Sequence, residues 1–147
     1  MYFKILNISL NHHGFQYKEG LNIDILPFNP HGDCEPGGLY FTDKEHIFEY
    51  IDFGTLIADV EVPDDAQVYK NGTKWKADRI ILSNIRHIKE FISSLSHEEL
   101  FLIKYKQRDF TIFQFINEEQ TRRIWLYAIK ENSIRYVKEQ TPENQDS

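Results

Sequence analysis

A single cysteine, Cys34, and a single methionine stand among 147 residues. One thiol forms no internal disulfide and supplies at most one ligand where a structural zinc site takes four. Long hydrophobic runs are missing too. No stretch of 18 apolar residues occurs, so no membrane-spanning helix is predicted. The N-terminus, MYFKILNISLNHHG, lacks the apolar stretch and small-residue cleavage site of a secretory signal. Basic charge is in short supply: 17 Lys and Arg face 23 Asp and Glu, a net charge of −6. That balance disfavours phosphate backbones as partners. What the chain does have is 41% hydrophobic and 14% aromatic residues, enough apolar surface to order it. The expectation is a soluble intracellular protein of one domain, or one domain with an appendage.

Glycine and proline are scarce in one half only. All seven glycines and four of the five prolines precede residue 85, and that part carries 7 Lys and Arg against 13 Asp and Glu. The remainder carries 10 against 10. Turn-forming residues punctuate strands, so residues 1–84 are predicted to be an α+β module with a small mixed or antiparallel sheet and one helix. Residues 85–141 are predicted to be a helical segment, and 142–147 a disordered tail.

Local patterns place the elements. Tyr2–Ile8, Gly38–Thr42, Thr55–Val62, Gln67–Lys70 and Lys76–Leu82 read as strands, the last two joined through Asn71-Gly72. Asp43–Phe53 reads as a helix, with Thr42 or Asp43 as N-cap and Gly54 as its stop. Leu21–Glu35 reads as a long loop. In the second half, Ile85, Ile88, Phe91, Ile92 and Leu95 recur at helical spacing. Ser96-His-Glu-Glu99 is a capping box opening a further helix. Asp109–Phe115 leans to helix, and Glu118–Ile129 and Asn132–Glu139 read as two more. Glu119-Gln-Thr121 returns as Glu139-Gln-Thr141, the kind of echo that stacked helical units leave.

The stretches Asn11–Asn22, Phe28–Thr42, Ile57–Tyr69 and Lys74–Leu82 resemble the N-terminal module of giant-virus proteins in which that module often precedes ankyrin repeats. Gly14-Phe-Gln-Tyr17 with Gly20, and Cys34 ahead of Gly38–Phe41, are more distantly similar to a phage and bacterial domain of unknown function. Gln120–Asn132 and Tyr136–Thr141 resemble helical repeats of giant-virus proteins. The resemblance implies a place in the host cytoplasm or the virion. It implies no catalytic residues.

Candidate sites are few. His12, His13, Asp33 and Cys34 offer ligand atoms without the spacing of a zinc motif, and adjacent histidines on one strand are expected to point opposite ways. No metal and no cofactor are expected. Cys34 reads as a structural thiol whose replacement by serine leaves fold and binding intact. His13, Tyr40 and Glu61 follow the strand order of an ADP-ribosyltransferase-like enzyme, the alternative reading, with a nucleotide cleft near Tyr40. Lys74-Trp75-Lys76 with Arg79 makes a thin case for base stacking, and Arg122-Arg123 reads as a solvated helix face. The favoured reading is a protein-interaction module that meets viral or host proteins or a second copy of itself. Trp125, Tyr127 and Tyr136 are its contact side chains, since Trp and Tyr anchor interfaces.

Overall fold

The computed structural model describes residues 1–31, 35–105 and 117–139, and side chains within these up to 101 and from 117 to 130. It divides into two compact units, Met1–Phe91 and Ile92–Ser147. The expectations for Asp33, Cys34, Asp109–Phe115 and the 142–147 tail lie outside the described residues, as does the side chain of Tyr136.

The first unit is α+β. It holds β1 (Tyr2–Leu6), β2 (Asn11–His12), β3 (Phe15–Gln16), β4 (Gly20–Ile23), β5 (Leu39–Asp43), a 3₁₀ helix (Ile47–Phe53), β6 (Leu56–Glu61), β7 (Val68–Asn71), β8 (Lys74–Ala77) and β9 (Arg79–His87). Seven strands form one antiparallel sheet in the order β4-β9-β6-β1-β5-β8-β7, and β2-β3 is a separate hairpin. β1 is central, as its apolar YFKIL sequence suits.

One residue closes the sheet. The expected strand Lys76–Leu82 is in fact two strands broken at Asp78: β8 pairs with β5, while β9 pairs with β6. Only Asp78 separates Ala77 from Arg79, so this bend brings the two sides of the run β9-β6-β1-β5-β8 together. Asp78 is fixed there, its backbone N–H donating to Gln67 O at 3.1 Å and its Oδ1 accepting from Gln67 N at 2.9 Å. Directly paired residues share a face. The inner face therefore gathers Leu6, Leu39, Phe41, Ala58, Val60, Ala77, Ile80 and Leu82 around Tyr17.

Several expectations are corrected. Ile85–His87 belong to β9, because Arg86 and His87 pair with Ile57 and Leu56; α1 is only Ile88–Ser93. The boundary expected after Asn84 thus falls inside a strand. Residues 47–53 form a 3₁₀ helix, not an α-helix from Asp43. Gly54 is extended (φ 171°), so it is no left-handed helix cap. The region expected to be a long loop contains β4, and the β2-β3 hairpin before it is an element that local pattern does not announce. There His13 (φ 50°) and Gly14 (φ 82°) occupy a two-residue turn, the geometry of a type I′ hairpin.

In the second unit, α2 (His97–Tyr105) starts at the expected capping box: Ser96 N donates to Glu99 Oε1 and Glu99 N to Ser96 Oγ, each at 3.1 Å. α3 runs unbroken from Glu118 to Glu139. The two helices expected there are one, since nothing between Ile129 and Asn132 breaks a helix, and Glu119 and Glu139 of the Glu-Gln-Thr echo lie on this single helix. Among the described residues no helix is long and apolar enough to cross a membrane.

Candidate functional site

β1 and β5 pair only at Tyr2↔Asp43 and Phe3↔Thr42. Beyond these pairs the strands part, and a cleft of about 490 Å³ opens between them. Its walls include Ile5 and Leu6 of β1, Leu39 and Phe41 of β5, and Tyr50 and Phe53 of the 3₁₀ helix. The β2-β3 hairpin adds His12, His13, Phe15 and then Tyr17, while Asp24, Glu35 and Lys74 also border it. The hairpin leans on the 3₁₀ helix, with His12 edge-on to Phe53 at 6.0 Å between centroids. This volume is in the range of small-ligand sites, and the lining is mainly apolar with a few polar groups.

The central polar group is Lys4. It sits opposite Ala58 on the inward face of β1, next to Leu6, and is only 8% exposed. Its Nζ donates to Tyr40 O across the strand gap at 2.7 Å and rests 4.7 Å from the centre of the Tyr17 ring. Burial draws its pKa down from 10.5 to about 8, because the charged form loses its hydration. Tyr17 is pushed up from its ordinary value, first by burial and then by the nearby Asp24 charge. His12 is lowered by burial, and further by the charges of Lys4 and His13.

The sequence-predicted residues scatter. His13 and Tyr40 border the cleft together; Glu61, exposed near the end of β6, is not part of its lining. Tyr40 is held by its Oη donating to Glu35 O at 2.9 Å, with Lys74 Nζ over its ring at 4.7 Å. The His12 and His13 rings lie 4.2 Å apart. They do not point opposite ways, because His13 has left the strand conformation for the turn and strand alternation stops at His12. Trp75 is packed edge-on to Tyr2 and stacked on Phe41, and Lys76 is fully buried with its Nζ on His31 O. A metal-capable grouping among the described residues is Asp43, Glu45 and His46. Asp43 Oδ1 already accepts from His46 N and lies 2.7 Å from His46 Nδ1, contacts of the turn that enters the 3₁₀ helix.

Lys4 is the site residue that sequence reasoning missed. Its signal is one lysine within an apolar strand, at the same parity as Leu6.

On α3, Trp125, Leu126 and Ile129 are 52%, 59% and 58% exposed, while Ile124 and Ala128 are buried. Tyr127 is half-buried against Phe101, with ring centroids 4.9 Å apart.

No family model matches the chain, and no solved structure does. Curated proteins of Acanthamoeba polyphaga mimivirus do match. "Putative ankyrin repeat protein R868" is 39% identical over 97 residues, covering 61% of this chain and 48% of that protein. "Putative ankyrin repeat protein R229" is 34% identical over 83 residues, covering 50% and 27%. "Uncharacterized protein R869" is 41% identical over 96 residues, covering 61% and 70%. The chain thus spans half or less of the length of R868 and R229, two of the relatives with ankyrin in their names.

Proposed function

Since this chain belongs to the mimivirus protein family that includes Uncharacterized protein R869, we propose that it works as a protein-interaction module. The observation that carries this reading is the exposed apolar face of α3. Trp125, Leu126 and Ile129 fall within one and a half turns and leave a large apolar area in water, and such patches mark contact surfaces. The two relatives named as ankyrin repeat proteins support it, since ankyrin repeats stack into extended binding surfaces. Self-association through α3 is the simplest case. Trp125 is its anchor; Tyr127, packed on Phe101, contributes less, and Tyr136 is proposed as a further contact from its place on the same helix.

Size-exclusion chromatography with light scattering tests this. Wild type is expected to form dimers at micromolar concentrations, and Trp125→Ala to raise the dissociation constant at least about tenfold, as loss of an interface anchor does. A wild type that stays monomeric up to high concentration overturns self-association.

The second reading, a nucleotide-binding enzyme of ADP-ribosyltransferase type, is favoured by one observation: His13 and Tyr40 border the same cleft. Glu61 weighs against it, being outside that lining. NAD turnover that disappears in His13→Ala or Tyr40→Phe is the result this reading requires.

A further inference from the structure

Two polar groups facing the cleft between β1 and β5 are left short of partners by the fold. Lysine is almost never buried without an opposite charge, yet among the described residues no carboxylate forms an ion pair with Lys4. Of its three donors, one goes to Tyr40 O and another face rests on the Tyr17 ring. Tyr17 is 4% exposed, and among the described residues nothing hydrogen-bonds its hydroxyl, although buried tyrosine hydroxyls ordinarily find a partner. The acids at the cleft are occupied. Asp24 accepts from Gly38 N at 2.7 Å and from Leu26 N at 3.3 Å, and Glu35 accepts from Asn29 at 3.3 Å. The fold has therefore placed a cation and a donor in an apolar cleft of about 490 Å³, and among the described residues neither carboxylate bordering it forms an ion pair with Lys4.

We propose that this cleft binds a small amphipathic anion, with a carboxylate or phosphate head on the Lys4 ammonium and the Tyr17 hydroxyl and an apolar body against the aromatic and aliphatic walls. The head supplies the missing counter-charge. The body displaces water from walls such as Leu6, Leu39 and Phe41. A neutral ligand of the same shape gains the second term but not the first.

Titration calorimetry with decanoate, decyl phosphate and decanol, each below its aggregation limit, tests this and separates the two head groups. Wild type is expected to bind at least one of the two anions more tightly than decanol. Lys4→Met, close in shape and without charge, is expected to weaken that anion about ten- to a hundredfold and to leave decanol within about threefold. Tyr17→Phe keeps the ring under Lys4 and serves if Lys4→Met does not fold; it is expected to weaken the anion several-fold. Amide spectra of the wild type with bound anion are expected to shift at residues of β1, β5 and Tyr17. Anions that bind no better than decanol overturn the proposal. So does undiminished anion binding by both variants, or a shift pattern confined to α3.

Discussion

Lys4→Met is expected to raise the stability of the protein near pH 7 and to flatten its dependence on pH. In the folded chain Lys4 holds its proton less tightly, at about 8 instead of 10.5, a difference corresponding to about 3 kcal/mol against the charged form. Loss of the bond that the ammonium donates to Tyr40 O returns about 2 kcal/mol of cost, leaving a net gain of about 1 kcal/mol. The sign with pH comes from linkage. Between pH 8 and 10.5 the unfolded chain binds more protons at this residue than the folded one, so stability rises with pH across that window. Below pH 8 lysine is charged in both states and the full penalty is present. Tyr17 acts oppositely: its folded pKa is raised, so stability is lost once the unfolded tyrosine ionises above about pH 10. His12, which also borders the cleft, feels the Lys4 charge, and its pKa is lowered first by burial, so it is already neutral across this window. Thermal unfolding from pH 7 to 10 is expected to show a rising melting temperature for wild type and a flat one for Lys4→Met. Parallel profiles for the two proteins would refute this account of Lys4.

Gly54→Ala is expected to be among the most damaging single substitutions in the first unit. A Cβ at this position would run into Leu6 O and stand 2.7 Å from Asn7 N. Both are backbone atoms, so no rotamer change relieves the contact and β1 must move away from the start of β6. Overpacking of this kind costs about 3 kcal/mol, or a melting temperature lower by roughly 10 °C for a chain of this length. The backbone itself is not the obstacle, because φ is 171°, an angle open to any residue. Serine is therefore expected to be as harmful as alanine. A melting temperature equal to that of wild type in either variant would show that β1 and β6 separate easily here.

Elements that depend on neighbours in the chain were legible. The capping box at Ser96 and Glu99 closes as its residues imply, since both partners lie within one turn. β1, β5 and β6 were visible because each is a short apolar run that ends in turn-forming residues. The misreadings share a cause. Ile85 fits a helical period with Ile88, Phe91 and Ile92, but its segment is claimed by pairing with Leu56 and Ile57 across the sheet, and a distant strand leaves no mark on local spacing. The short β2 and β3 strands are too brief to show alternation, and only their I′ turn at His13-Gly14 carries a signal.

The amino-acid sequence by itself determined the fold class, the acidic first part rich in turns, the helical character of the segments that became α1, α2 and α3, and the kinship with a viral family. These rest on composition, period and local hydrogen bonding, which neighbouring residues settle among themselves. The cleft was decided by tertiary structure alone. It exists because β1 and β5 stop pairing after two residue pairs, because Asp78 bends one strand to serve both sides of the sheet, and because a hairpin brings Tyr17 beneath Lys4. Each of those events joins residues far apart in the chain. Burial of a lysine beside an apolar space is a property of that closure, and no stretch of sequence contains it.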